Sequence, residues 1–254
     1  MNMTGNTIFI TGGGSGIGRG LAEAFHQRGN QVIISGRRKE MLKEVIAANP
    51  GMESVELDVQ NPTSIAEAAA KLVQQHPPLN VLINNAGIMR MDAVQNPIDV
   101  GVAQATVQTN LLGPILMTSA LVEHLKRQSA AAVINVTSGL AFTPLAATAV
   151  YCATKAALHS FTLSQRFLLE NTSVRVIELA PPYVQTELMG PGQARDPQAM
   201  PLAEFIAETM TLLASGADEV LVERVQMLRN NVGPNEYAFV KKFNAMMADH
   251  LERS

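Results

Sequence analysis

Residues 7–18 read Thr7-Ile8-Phe9-Ile10-Thr11-Gly12-Gly13-Gly14-Ser15-Gly16-Ile17-Gly18, and the order of residue types along them decides the fold. The first five are β-branched or aromatic and stop at glycine, as a short buried strand does. A helical pattern begins within the glycines, so the stretch is strand, glycine loop and helix start. In that context Gly12, Gly16 and Gly18 let backbone N–H groups at a helix N-terminus approach a phosphate, with Gly14, Ser15 and Ile17 completing the cradle. Glycine-rich turns also arise for conformational reasons alone, so it is the strand-to-helix setting that points to a dinucleotide.

Downstream, Gln31–Ser35, Ser54–Leu57, Val81–Asn84, Ala132–Thr137 and Val174–Leu179 repeat the strand pattern, mostly as apolar runs without alternation. Such runs suit strands covered on both faces, and the segments between them are long enough for crossover helices. The pattern predicts an α/β fold with a doubly wound parallel sheet, a Rossmann fold. A length of 254 residues leaves one domain or two open. No linker or internal repeat divides the chain, so residues 1–254 are read as a single Rossmann-type domain. Pro62, after Asn61, opens the third helix. Residues 187–216 are expected to form a substrate lid, with Pro191, Gly192 and Pro197 ahead of an amphipathic segment Leu202–Leu213. A short strand candidate follows at Glu219–Val222. In the charge-rich tail from Glu223, Tyr237, Val240, Phe243 or Asn244, and Met247 recur at helical spacing, which predicts a C-terminal amphipathic helix docked on the body.

Hydrophobic residues make up 47% of the chain and charged ones 16%, against roughly 25% charged in an average globular protein, which implies a large core. A net charge of -3 without a block of like charges argues against nucleic acid as a partner. Met1–Thr7 carry no Lys or Arg ahead of a long apolar run, and no uninterrupted apolar stretch reaches about 18 residues. A secretory leader and a membrane span are therefore not expected, and a cytoplasmic location is. The single cysteine, Cys152, is read as core, and the five histidines lack metal-ligand spacing, so no metal is expected. Between Met91 and Val122 the only charges are Asp92 and Asp99; between Gln128 and Leu169 they are Lys155 and Arg166. Helices this poor in charge are either sandwiched in the core or packed against symmetry copies; the second is the expectation, as a homodimer or homotetramer.

The second strand ends Ser35-Gly36-Arg37-Arg38. In an NAD site an acidic residue about 20 positions past the glycine loop accepts hydrogen bonds from the ribose 2'-hydroxyl. No carboxylate stands there, whereas Arg37, with Arg38 beside it, suits a 2'-phosphate. Two arginines at a helix start oppose its dipole unless an anion joins them. NADP(H) is the expected cofactor. Tyr151 and Lys155 are four apart on one helical face, so an ammonium can lower the pKa of a neighbouring phenol and give a hydroxyl acid near neutral pH. Taken singly, that pair is usually a helix-surface accident, Asn110 a capping residue, Ser138 a turn former and Asp58 a turn cap.

Their combination changes the reading. The Thr-Gly-xxx-Gly-x-Gly loop, Asp58, Asn84-Asn85-Ala86-Gly87, Asn110, Ser138, and Tyr151 with Lys155 stand in order between residues 5 and 190. This resembles the short-chain dehydrogenase/reductase family in its single-domain branch, and Pro182 with the Glu236–Leu251 tail looks like the DltE-type oxidoreductase subgroup. The resemblance implies hydride transfer between nicotinamide and a small carbonyl or alcohol substrate. It makes Tyr151 the proton donor or acceptor and Ser138 the hydrogen-bonding partner of the substrate oxygen. Lys155 would bind the nicotinamide ribose and depress the Tyr151 pKa, with Asn110 holding Lys155 through a backbone-bound water. Asp58 and Val59 would contact adenine, Asn85, Ala86 and Gly87 the adenosine ribose, and Pro181, Val184 and Thr186 the nicotinamide side. Where the family usually has Pro-Gly, this chain has Pro181-Pro182, which implies a stiffer nicotinamide wall. The family's late Thr-Gly and Asp-Gly-Gly are absent, leaving the seventh strand less defined. Ser138, Leu140, Tyr151, Tyr183 and Leu188–Ala214 are the expected, mostly apolar pocket walls. The alternative is a non-catalytic dinucleotide sensor on the same fold, which would not need Ser138, Tyr151 and Lys155 intact. A sugar-nucleotide epimerase would need a Gly-x-x-Gly-x-x-Gly loop and a larger C-terminal domain.

Overall fold

The computed structural model describes residues 1–92 and 94–251. Seven parallel strands form one sheet in the order β3-β2-β1-β4-β5-β6-β7. They are β1 (Thr7–Thr11), β2 (Gln31–Gly36), β3 (Glu53–Glu56), β4 (Leu79–Asn84), β5 (Ala131–Val136), β6 (Val174–Leu179) and β7 (Glu219–Val220). Apolar runs became central strands because both faces are covered. Ile8, Ile10, Val32 and Ile34 point into one core layer, while Phe9, Ile33, Leu82 and Val133 point into the other. The strand order reverses between β1 and β4, which opens the crevice where ligands of such sheets bind. The last strand is two residues long and ends at Val220, short of the expected Val222.

Helices α1 (Gly16–His26) and α2 (Lys39–Ala48) cover the first layer and α3 (Pro62–Gln75) the second. Asn61 caps α3 as Pro62 implied: its Oδ1 accepts from Thr63 N at 2.9 Å and Ser64 N at 3.3 Å. Helix α4 (Val100–Val107) runs through a π-helical turn, Gln108–Leu112, into α5 (Gly113–Leu125). By length and composition this is the one helical stretch among the described residues able to cross a bilayer, yet Met117, Leu121 and Leu125 are fully buried in the second core layer. Its outer face is different: Val100 and Val107 are exposed, as are Leu163, Phe167 and Leu168 of α6 (Ala149–Leu169). Burial inside this fold therefore accounts for only one side of the two charge-poor segments.

Two expectations change. Only the first part of the expected lid, residues 187–216, is loop; α7 (Leu202–Ser215) buries Phe205, Ile206, Met210 and Leu213 in the first core layer. A Cβ on Gly20 of α1 would lie 2.9 Å from Ile206, so α1 and α7 touch as body helices. The tail forms two helices, α8 (Glu223–Arg229) and α9 (Glu236–Leu251), and Tyr237 is not on the docking face. It is 72% exposed beneath the Lys241 ammonium, while Phe239, Phe243 and Met247 make the apolar contact. Tyr237 and Phe243 are six residues apart, about 120° around a helix, so one stripe cannot hold both.

Candidate active site

The glycine loop leaves β1 at the crevice and is held from below. Thr11 Oγ1 accepts from Asn85 N at 3.0 Å and Ala86 N at 3.1 Å, and Asn85 Nδ2 donates to Thr11 O at 2.9 Å and Gly12 O at 3.2 Å. A Cβ on Gly12, whose φ is +69°, would sit 2.9 Å from Ala86 Cα; one on Gly18 would sit 2.3 Å from Gly12 O and from Asn85 Nδ2. Both positions thus require glycine for packing within the chain. Asn85 is likewise a support of the loop. The phosphate cradle itself fits an anion: Ser15 caps α1 in extended conformation without a side-chain bond to the helix N–H groups, and the first turn holds no acidic residue. The first N–H groups of α1 are therefore available to a phosphate.

Around the cradle stand the residues expected to select the cofactor. Arg37 and Arg38 are exposed at the end of β2; Arg38 Nη2 donates to Ser15 Oγ at 3.1 Å, joining the arginines to the loop. Asp58 Oδ1 accepts from Gln60 N at 3.0 Å, so the carboxylate does cap its turn. Val59 packs against the second core layer, and Gly113 leaves room for it: a Cβ there would lie 3.1 Å from Val59 Cβ. Thr186 faces the loop from the other side, 3.4 Å from where a Gly16 Cβ would stand.

Ser138 ends the β5 segment and Tyr151 and Lys155 lie one helical turn apart on α6; they are 7%, 6% and 4% exposed. Ser138 Oγ accepts from Leu140 N at 3.1 Å, and Lys155 Nζ donates to Val136 O at 2.8 Å, 5.7 Å from the Tyr151 ring centre. Burial dominates both ionisations. It pushes the phenol up to about 12 and pushes the ammonium down to about 8. The expectation of a phenol made acidic near neutral pH by its lysine is thus corrected for the protein alone: burial raises the phenol's pKa. Asn110, enclosed by the π-helical turn, grips the strand-end segment with its side chain: its Oδ1 accepts from Ile88 N and its Nδ2 donates to Ile88 O, each at 2.9 Å. Gly87 lies between the two, since a Cβ there would be 3.5 Å from Asn110 Oδ1 and 3.8 Å from Lys155 Nζ.

After β6, Pro181 O accepts from Gly139 N at 2.9 Å, tying this wall to the Ser138 turn. Val184 pairs with Met200, and Tyr183 donates to Asp196 Oδ2 at 3.0 Å. Gln193 gathers the loop: its Nε2 donates to Val184 O at 2.8 Å and Thr186 Oγ1 at 3.1 Å, and its Oε1 accepts from Met189 N at 2.9 Å. Leu140, Leu188 and Met189 pack against the cluster that contains Tyr151.

Some important residues escaped the sequence reading. Thr148 gives α6 no side-chain cap; Asp92, from a distant loop, supplies it, accepting from Ala149 N at 2.8 Å and Val150 N at 3.0 Å. Its signal was its isolation as a charge in an apolar stretch. Behind Ser138, the fully buried Glu178 accepts from Thr137 Oγ1 at 2.7 Å and meets His159 Nδ1 at 2.8 Å. His159, Glu178 and Glu219 are close enough to share an ion, but Thr137 and Arg229 already engage the two carboxylates.

The short chain dehydrogenase family model matches residues 6–196. The uncharacterized oxidoreductase DltE of Bacillus subtilis (strain 168) is 40% identical over 236 residues, covering 91% of this chain and 93% of that protein. A short chain dehydrogenase from Burkholderia cenocepacia J2315, solved in complex with NADP, superposes with a TM-score of 0.83 at 32% identity, over 95% of this chain and 98% of that one. A short chain dehydrogenase/reductase from Burkholderia phymatum, solved with NAD, has a TM-score of 0.80 at 19% identity over 90% of this chain and 94% of that one, which speaks for the fold alone. With the nucleotide cradle, the sheet and the Ser138, Tyr151 and Lys155 group in place, the chain belongs to the short chain dehydrogenase family of oxidoreductases.

Proposed function

We propose that this chain is an NADP(H)-dependent oxidoreductase that interconverts a small or medium carbonyl compound and its alcohol, with Tyr151 as general acid and base. The observation that carries the reading is the joint burial of Ser138, Tyr151 and Lys155, with the Lys155 ammonium 5.7 Å from the Tyr151 ring centre. Bound nicotinamide supplies or takes the hydride at the carbonyl carbon. The chain supplies the rest: Ser138 donates a hydrogen bond to the substrate oxygen, and the Tyr151 hydroxyl delivers its proton there. With its pKa near 12, the phenol stays protonated at neutral pH, the form that carbonyl reduction consumes. Lys155 offers its ammonium to the nicotinamide ribose and holds positive charge near the phenolate left by proton transfer. The α1 N-terminus would hold the pyrophosphate, Asp58 and Val59 the adenine, and Thr186 and Val184 the nicotinamide side. Arg37 and Arg38 support NADP(H) over NAD(H), as exposed cations beside the cradle with no carboxylate between them. NADP in the B. cenocepacia relative supports the same choice.

The exposed apolar face made by Val107, Leu163, Phe167 and Leu168 supports assembly into a homodimer or homotetramer. Tyr151→Phe tests the reading. It should abolish NADPH oxidation across a carbonyl panel, by about a hundredfold or more, while leaving NADPH binding by fluorescence titration intact. Retained turnover would overturn it, and cofactor binding without any turnover in the unmodified enzyme would favour a sensor.

A further inference from the structure

Tyr151 is almost sealed, and the seal comes partly from outside the sheet-and-helix body. The buried cluster that holds Tyr151 also contains Phe243 from α9, and Phe239 and Met247 pack against that cluster from the same helix. Phe239, Phe243 and Met247 are spaced by four, so they form one stripe, and the flanking residues 241, 242, 245 and 246 are exposed. Beyond the stripe, one polar hook fastens the helix. Asn244 Oδ1 accepts from Ala146 N at 2.5 Å and its Nδ2 donates to Pro144 O at 2.9 Å, on the loop that leads into α6. The helix is thus fastened over the cluster that contains Tyr151 by one apolar stripe and the Asn244 hook. The lining it offers is aromatic and thioether, which favours an uncharged, apolar group on the substrate.

We propose that α9 is the roof of the substrate chamber, and that Phe243, seconded by Phe239, limits the size of the apolar group carried by the carbonyl carbon. This rests on the reaction proposed above. Phe243→Ala removes a buried ring next to the Tyr151 cluster and should open space for one aromatic ring. The experiment compares benzaldehyde with 4-phenylbenzaldehyde, using NADPH, in the wild type, Phe243→Ala and Phe239→Ala. The ratio of kcat/KM, large over small, should rise about tenfold or more in Phe243→Ala, and less in Phe239→Ala. Phe239 is only half-buried, so its variant stands in if Phe243→Ala fails to fold. Dissociation constants of benzamide and 4-phenylbenzamide for the NADP-loaded protein, from calorimetry, read the same size limit without turnover. A shift in the amide ratio with no aldehyde reduced by any form would sink the reaction and keep the roof. Unchanged ratios in folded variants, or equal loss for both ring sizes, would overturn the roof itself.

Discussion

Lys155 offers the sharpest test of how the fold sets its own chemistry. Its ammonium is buried with one carbonyl partner, Val136 O at 2.8 Å, and burial holds its pKa at about 8 against an ordinary 10.5. Keeping that charge in the folded chain at neutral pH costs about 3 kcal/mol. Between pH 8 and 10.5 the unfolded chain holds the proton and the folded chain has released it, so this group makes stability rise with pH across that window. Tyr151 acts oppositely: its pKa is raised from 10.0 to about 12, so it contributes stability below pH 10 that is lost as pH climbs through 12. The clean interval is therefore pH 8 to 10, where only the lysine of this pair titrates. Urea unfolding of the cofactor-free wild type and Lys155→Met at pH 7, 8, 9 and 10 isolates it, because the N-terminus and Cys152 titrate in both. The wild type should gain about 2 kcal/mol on the variant between pH 8 and 10. Parallel pH profiles would refute the claim that burial controls this charge.

Other perturbations read other parts of the site. Asp92→Ala removes both acceptors from the first turn of α6 and should lower stability by about 1–2 kcal/mol in urea unfolding. It should also cut kcat more than the KM for NADPH, with Asp92→Asn recovering part of the loss. Gly13→Ala would drive a Cβ to 2.6 Å from the Ile34 side chain and should cost about 1–3 kcal/mol, visible as a lower Tm. Gly18→Ala meets backbone, at 2.3 Å from Gly12 O, and should abolish NADPH binding in a fluorescence titration. Arg37→Asp should weaken NADPH by about tenfold or more relative to NADH when the two KM values are compared; an unchanged ratio would remove Arg37 from cofactor selection.

What could be read from the sequence was local, and what could not was set by contacts across long stretches of chain. The strands were legible because full coverage makes both faces apolar; β3 is the least apolar because it is the sheet edge, with Glu53 and Glu56 exposed. Tyr151 and Lys155 were legible because helical spacing alone puts them on one face. Their ionisation was not, since desolvation depends on which segments bury them, and spacing says nothing of that. Asp92 reaches the α6 N-terminus from 57 residues upstream, so no local capping pattern announced it. In α9, stripes beginning at Tyr237 and at Phe239 were both compatible with helical period. The choice was made by a loop 98 to 100 residues earlier, through Asn244. These two long-range contacts converge on the same helix start: Asp92 holds the first N–H groups of α6, and Asn244 holds the loop just before them. Substitutions at Asp92 or Asn244 would thus act on the α6 start that carries Tyr151 without touching the motif residues.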